Sequence, residues 1–239
     1  DIIAGAYDIV HRVTPLSPTV TSPIAARCAA AGIPFVLGPL NGGLPWPREF
    51  DAARRKEKEW LSYVRNAYRL TPGRRRMFKA TSAILAGSHH TASELPADLR
   101  DRVTYLPENA IETKRFGQPV DRPSPPPLRA CFVGRLVPYK GPDMLLEAAA
   151  PLLADGRLTL DIVGDGPMMS ELKAFVAEHD LGSAVTFHGW VRHEGVPRIL
   201  GAAHVLTFPS IREFGGGVVL EAMALGVVPI VVDYGGPGG

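Results

Sequence analysis

The sequence has few cysteines and no long hydrophobic run, and both shortages narrow the class of protein. Its 239 residues include only Cys28 and Cys131, which lie far apart in apolar surroundings. We therefore expect two buried free thiols, which fits a reducing compartment. No apolar stretch reaches the roughly 20 residues that a membrane-spanning helix needs, and no signal peptide is visible. The composition favours a globular protein with one large domain or two smaller ones.

The sequence also lacks the patterns that are typical of metal sites and enzyme nucleophiles. Apart from the weak pair His188 and His193, its seven histidines show no paired spacing with cysteines or carboxylates. No Asp-x-Asp motif occurs, and no Ser-His-Asp or Cys-His combination can be assembled. We therefore expect neither a bound metal nor a cofactor.

The net charge is only +2, but the positive charge is concentrated in one segment. Residues 48–79 carry eleven Lys or Arg against four Asp or Glu, so the remainder has 15 basic against 20 acidic residues. The simplest interpretation is a solvated helix face. The alternative is contact with an anionic membrane, because basic segments with Trp and Tyr can lie at an interface. Nucleic acid is disfavoured, since no aromatic platform accompanies the charge.

Apolar runs of strand length alternate with helical patterns along the whole chain. Strands are predicted at about 7–10, 34–37, 83–86, 103–106, 129–133, 159–163, 184–187, 203–208 and 228–232. Helices are predicted at about 19–31, 50–69, after Pro72, and at 91–98, 142–154, 167–179, 194–201 and 217–225. This alternation indicates an α/β fold in which helices cover doubly wound parallel sheets.

Prolines divide the chain into two predicted domains. Five of the twelve residues at 117–128 are proline, and such a segment cannot form a helix or a central strand. We therefore predict a semi-rigid linker at 117–128 between a first domain at 1–116 and a second domain at 129–239.

The most unusual stretch is a glycine loop flanked by Glu213 and Glu221, which have seven residues between them. It follows the strand at 203–208 and opens a nearly all-apolar helix. Three successive glycines leave backbone N–H groups uncovered at the helix N-terminus, which favours an anionic or oxygen-rich ligand. Glu221 has apolar neighbours and needs a partner if it is buried. Alternatively, Glu213 is a solvated loop residue and Glu221 a structural ion-pair partner.

Glycines and polar residues also follow three other strands of the second domain. They are Gly134-Arg135, Gly164-Asp165-Gly166 and Gly189-Trp190. Ligands of open parallel sheets bind beyond the carboxyl ends of the strands, so four strand ends point to one crevice. Arg135 and Lys140 on the first loop suit a diphosphate, unless both are ordinary surface cations. The turn at 164–167 lacks the third glycine of a dinucleotide-binding fingerprint, which disfavours NAD.

These segments together resemble the group 1 family of retaining glycosyltransferases (family 4). The resemblance rests on the two glutamates with their glycine loop and on Gly134-Arg135-Leu136 followed by Lys140-Gly141. It implies the GT-B fold, with two Rossmann-like domains that face each other across a cleft. It also implies transfer of a sugar from a UDP- or GDP-linked donor to the hydroxyl of a carbohydrate or lipid-linked acceptor, without a bound metal. The expected role is cell-surface polysaccharide or glycolipid synthesis, in the cytoplasm or peripherally at the inner membrane face.

The resemblance further implies a role for each site residue of the second domain. Arg135 and Lys140 would hold the donor diphosphate beside Gly134. Glu213, the candidate catalytic residue, would bond the donor sugar, and Glu221 would bond the ribose. The backbone expected to support the sugar and phosphate belongs to Phe214, Gly215, Gly216, Gly217 and Val218.

The first domain offers His11 and the loop from Gly38 to Gly43. Many enzymes of the family have a histidine at a similar strand end, facing the donor sugar, so His11 is the second candidate catalytic residue. A lone histidine is otherwise more often structural or solvated. The glycine loop could approach a phosphate or an acceptor, or it could be only a tight turn.

The chain departs from the family pattern at both ends. The opening strands of the first domain and the closing helices of the second are missing, so we expect a fragment that is inactive alone. Two other functions stay open. A nucleotide-sugar epimerase or phosphorylase-like enzyme of the same fold would keep the phosphate cations but need a different acceptor side. A non-catalytic nucleotide-sugar-binding relative would not need both glutamates; their presence with both cations favours a transferase.

Overall fold

The computed structural model describes residues 6–42, 44–47, 50–51, 55, 71–118, 120–213 and 215–234. The described residues form two compact units, one from 6–45 and 71–108 and the other from 46–55 and 109–234. Each unit contains a parallel sheet flanked by helices, which confirms the predicted α/β fold class.

The first unit has four parallel strands in the order β1-β2-β3-β4. The strands are β1 (Val10–Arg12), β2 (Phe35–Leu40), β3 (Ala83–Ala86) and β4 (Val103–Tyr105), and the helices are α1 (Ile24–Ala30), α2 (Arg74–Ala80) and α3 (His89–Ser93). Cys28 of α1 and Phe78 of α2 pack against Phe35 and Ile84 of the sheet. The helix predicted at 91–98 is interrupted because Pro96 cannot donate a backbone hydrogen bond, and a 3-10 helix follows it.

The second unit has five parallel strands in the order β7-β6-β5-β8-β9. The strands are β5 (Leu128–Val133), β6 (Leu158–Val163), β7 (Val185–Gly189), β8 (Val205–Phe208) and β9 (Val228–Val231). The helices are α4 (Thr113–Phe116), α5 (Pro142–Ala154), α6 (Met169–Glu178), α7 (Val196–Leu200) and α8 (Gly217–Ala224). Because successive side chains of a strand point to opposite faces, Phe132 and Cys131 of β5 belong to two different hydrophobic clusters. The strand order reverses between β5 and β8, which is therefore the topological switch point of the sheet.

One arginine holds the proline-rich segment against the second unit. Arg122 donates from Nε to the carbonyl oxygen of Gly201 (2.9 Å), from Nη1 to that of Gly226 (3.0 Å) and from Nη2 to that of Leu225. These carbonyls lie at the ends of α7 and α8, where helices leave acceptors without partners. The described residues of 117–128 group with the second unit, and the domain boundary predicted there stays a prediction.

We expect Arg122→Ala to lower the free energy of unfolding by about 2 kcal/mol, because three charge-assisted hydrogen bonds are lost together. Arg122→Lys should recover less than half of this, since an ammonium cannot reproduce the planar fork. The measurement is urea unfolding at fixed salt. Arg198→Ala, at an exposed arginine of α7, is the matched control and should change the stability by less than about 0.5 kcal/mol. Equal effects of Arg122→Ala and Arg198→Ala would contradict a stabilising role for the three hydrogen bonds of Arg122.

The basic segment lies mostly outside the described residues, as does most of the helix predicted at 50–69. Arg74, which belongs to its described part, is only 8% exposed and lies over the ring of Phe78, 4.7 Å from its centroid. It is therefore not part of a solvated face, whereas Arg75, Arg76 and Lys79 are exposed. Membrane contact stays a prediction. Within the described ranges, no helix has the length and apolar character needed to cross a bilayer.

Candidate active site

The loops after β5 and β8 are joined at the switch point of the sheet. The backbone nitrogen of Ile211 donates to the carbonyl oxygen of Tyr139 (2.9 Å), and Ser210 Oγ donates to the same oxygen (3.3 Å). Gly141 has φ +67°, and a Cβ there would lie 2.8 Å from the carbonyl oxygen of Pro209. A glycine is therefore needed where the two loops approach. Open parallel sheets bind ligands at such a switch point.

Lys140 and Glu213 form an ion pair across these two loops. Their side chains are only 14% and 16% exposed. Glu213 also accepts a hydrogen bond from the backbone nitrogen of Gly216 (3.3 Å), and its Oε2 lies 3.4 Å from Ser210 Oγ as a second acceptor for the single proton of that hydroxyl. Lys140 Nζ lies 4.9 Å from the ring centroid of Phe208. Additional partners of this kind offset the cost of removing two charges from water. The structure thus brings two predicted site residues into direct contact.

The ends of β5, β6 and β7 pack backbone to backbone. The nitrogen of Gly134 donates to the carbonyl oxygen of Val163 (2.9 Å), and that of Gly164 donates to Gly189 (2.8 Å). Gly164 has φ +140°, and a Cβ there would lie 1.9 Å from the carbonyl oxygen of Gly134. The glycines at these strand ends are therefore required by the packing of the sheet itself. The predicted role of Gly134 in holding the donor stays a prediction.

Arg135 differs from Lys140 in its surroundings. It is exposed between Gly134 and the buried Leu136. Its carbonyl oxygen accepts from the backbone nitrogen of Val137 (3.0 Å), but its guanidinium makes no hydrogen bond or ion pair with any residue that the structure describes. Its guanidinium can therefore reach an anionic ligand without first breaking an ion pair to a described residue. Its predicted contact with a diphosphate stays a prediction.

The glycine loop before α8 is held by a residue that sequence reasoning missed. Asn109 Nδ2 donates to the carbonyl oxygen of Gly215, where an added Cβ would lie 2.5 Å from that nitrogen. Gly216, with φ +61°, precedes the first helical residue, Gly217. Its N–H group, which we expected to be uncovered, is bonded to Glu213. No motif surrounds Asn109, so only its contact with the loop identifies it.

Two other residues predicted for this loop have different outcomes. Val218 is half-buried in α8 and packs against the hydrophobic cluster of that face, so its side chain serves the core. Phe214 lies outside the described residues. The predicted contacts of the loop backbone with a sugar and a phosphate stay predictions.

Glu221 is bound by a histidine. Its side chain is 16% exposed, and its Oε1 lies 2.9 Å from Nε2 of His193. The other ring nitrogen of His193 contacts Nη1 of Arg115. A guanidinium can only donate, so Nδ1 accepts and Nε2–H donates to Glu221. The sequence treated His193 as part of a weak metal-binding pair with His188, but His188 bonds instead to Asp161 (2.6 Å).

His11 lies in the first unit, within β1 rather than after it. Its Nε2–H donates to the carbonyl oxygen of Gly38 (2.8 Å). Gly38 itself lies within β2, has φ +127°, and would bring a Cβ to 2.3 Å from the carbonyl oxygen of Leu85. Packing of β2 against β3 thus explains this glycine, and the approach of the following loop to a phosphate or an acceptor stays a prediction. The role of His11 toward a donor sugar stays a prediction.

Both cysteines are free and buried, as the sequence predicted. Burial, together with the negative charge of Asp161, raises the pKa of the Cys131 thiol well above its usual range. The thiol therefore stays protonated and is a poor nucleophile at neutral pH. Among the described residues, no group of three or more histidine, cysteine, aspartate or glutamate side chains could hold a metal ion.

Solved structures with the same architecture define the fold as GT-B. HepE from Anabaena, in complex with UDP and glucose, superposes with a TM-score of 0.60 at 17% identity, over 99% of this chain and 62% of HepE. Sucrose-phosphate synthase from Thermosynechococcus elongatus gives a TM-score of 0.61 at 20% identity, over 96% of this chain and 57% of the synthase. Residues 115–239 match the family described as glycosyl transferases group 1. The chain belongs to this family.

Curated relatives have similar sequences. The chain is 30% identical to 2-deoxystreptamine glucosyltransferase of Streptomyces kanamyceticus over 235 residues, 95% of this chain and 59% of the relative. It is 39% identical to D-inositol 3-phosphate glycosyltransferase of Gordonia bronchialis over 116 residues, 44% of this chain and 25% of the relative. The chain therefore spans about three-fifths or less of the length of these relatives.

Proposed function

We propose that the protein is a retaining glycosyltransferase that moves a sugar from a nucleotide-diphosphate-sugar to an acceptor hydroxyl without a bound metal. The observation that carries the proposal is the meeting of Lys140 and Glu213 at the switch point of the second sheet. The exposed Arg135 lies on the same loop after β5 as Lys140. The names of the two relatives, both sugar transferases, support the reaction class. The UDP and glucose bound to HepE are consistent with the proposed type of donor.

The charges of the site suit this reaction. As the glycosidic bond breaks, its electron pair passes to the departing diphosphate, whose negative charge increases. Arg135 and Lys140 would stabilise that charge, and they would replace the divalent ion used by metal-dependent transferases. When Lys140 turns to the diphosphate, Glu213 is left to accept hydrogen bonds from the donor sugar. The N-terminus of α8 would add backbone donors for the sugar or phosphate.

The acceptor and the cellular role extend the proposal. A carbohydrate or lipid-linked acceptor would place the protein in cell-surface polysaccharide or glycolipid synthesis. The basic segment at 48–79 would then hold it against an anionic membrane. Product analysis with and without an acceptor separates a transferase from a nucleotide-sugar epimerase.

The test is calorimetric titration of UDP and GDP into the longest natural form of the protein. We expect one of them to bind, and both Arg135→Ala and Glu221→Ala to weaken it roughly 10- to 150-fold, the loss of one charge-assisted contact. Arg157→Ala is the matched control, because this exposed arginine directly precedes β6 and so lies at the amino ends of the strands, away from the proposed site at their carboxyl ends. If a folded protein bound neither nucleotide, UDP and GDP would be abandoned as donors. If both variants bound like the parent, the site assignment would be wrong.

A further inference from the structure

Three short elements of the second unit converge on Glu221. They are α4, the 3-10 turn at His193–Gly195 and α8. Among the described residues, His193 is the hydrogen-bond partner of the Glu221 carboxylate, and the bond involves Oε1 alone. The second carboxylate oxygen is therefore left for another donor. Sequence reasoning assigned no role to His193 beyond the weak metal pair.

The histidine is held from both sides. Arg115 donates to its Nδ1, which fixes the proton on Nε2, and the ring of Phe116 lies 5.3 Å from the imidazole, centroid to centroid. Glu112 pairs with Arg115 at 2.9 Å, and Glu194 lies 3.9 Å from the same guanidinium nitrogen. These two carboxylates balance the positive charge of Arg115. His193 thus presents one oriented N–H to Glu221.

The hydrogen bond from His193 restricts the rotation of the Glu221 carboxylate. A glutamate side chain loses rotamer freedom when it binds a ligand, and a bond already made to one of its oxygens reduces that cost. The remaining oxygen keeps lone pairs for a ligand hydroxyl. We propose that His193 is a positioning residue, which fixes Glu221 so that its carboxylate accepts hydrogen bonds from the ribose hydroxyls of the donor. The inference rests on the proposed function, in which Glu221 binds the ribose.

The test compares two ligands and two substitutions. The ligands are whichever of UDP and GDP the natural protein binds, and the 2′,3′-dideoxy form of the same nucleotide. His193→Phe keeps an aromatic ring beside Phe116 but removes the donor, whereas His193→Gln restores an N–H at a similar reach. We expect His193→Phe to weaken the ribonucleotide roughly 3- to 10-fold, the value of one hydrogen bond, and to leave the dideoxy nucleotide unchanged. His193→Gln should bind the ribonucleotide within about 2-fold of the parent.

Each outcome supports or contradicts the positioning role of His193. Equal weakening of both ligands by His193→Phe, or no weakening of either, would overturn the positioning role. If His193→Phe does not fold, Arg115→Met provides the same comparison. It removes the donor to Nδ1 that orients the imidazole, while His193 itself is unchanged. If Glu221→Ala discriminates the two ligands and the His193 variants do not, only the role of His193 fails. If the parent binds neither UDP nor GDP, both are abandoned as donors, and the ribose contact on which this inference rests is abandoned with them.

Discussion

Gly164→Ala is expected to lower the free energy of unfolding by about 3 kcal/mol or more. At φ +140°, a non-glycine residue is strained by roughly 1–3 kcal/mol. In addition, the new Cβ would lie 1.9 Å from the carbonyl oxygen of Gly134, so the ends of β5 and β6 must separate. Displacing a packed neighbour in this way costs roughly another 1–3 kcal/mol. Urea unfolding measures the change, and nucleotide affinity should fall as well, because the loop with Arg135 moves.

Substitutions at two other glycines separate the cost of backbone strain from the cost of the steric clash. Gly156 has φ +66° but open space around its Cβ position, so Gly156→Ala should cost about 1 kcal/mol from backbone strain alone. Gly182 has neither a positive φ nor a close neighbour, and Gly182→Ala should change stability by less than about 0.5 kcal/mol. If Gly164→Ala were no worse than Gly156→Ala, the close approach of the strand ends would be refuted.

The sequence predicted the elements of the second unit well, because their signals are local. The helix predicted at 142–154 matches α5, since Pro142 favours the first turn of a helix and an apolar run follows it. The glycines after the strands marked the strand ends for a similar reason, since close backbone approach excludes a side chain. The carboxyl-end rule then placed Lys140 and Glu213 in one region without knowledge of the strand order.

The pairing of the charged residues could not be predicted in this way. Lys140 and Glu213 are 73 residues apart, and their contact depends on β5 lying beside β8, which no local pattern specifies. Asn109 is 106 residues from Gly215 and carries no motif. The sequence allowed Glu221 a structural ion-pair partner as an alternative to a ligand, but it named no partner for Glu221, Lys140 or Glu213. The partner of Glu221 was therefore missed, although its need for one was recognised.

The ion pair between Lys140 and Glu213 leads to the second prediction of large effect. Lys140→Met should weaken binding of the nucleotide that the parent binds roughly 10- to 150-fold and slow sugar transfer at least about 100-fold, since the cation proposed to face the departing diphosphate is lost. It should also lower the free energy of unfolding by roughly 1–3 kcal/mol, because Glu213 stays largely buried without its partner. Calorimetry, transfer assays and urea unfolding give the three values.

The double variant Lys140→Met with Glu213→Gln distinguishes the two roles of the pair. The amide of Gln keeps an acceptor for the backbone nitrogen of Gly216 and removes the unpaired charge, so most of the stability should return. Nucleotide affinity and transfer should stay low, because no cation has been restored. If transfer returned together with stability, the pair would serve only to join the loops after β5 and β8. If stability returned while affinity for the nucleotide, which has no sugar for residue 213 to bind, stayed low, Lys140 acts on the ligand. Its bond to Glu213 would then keep the charge at the switch point until the diphosphate replaces the carboxylate.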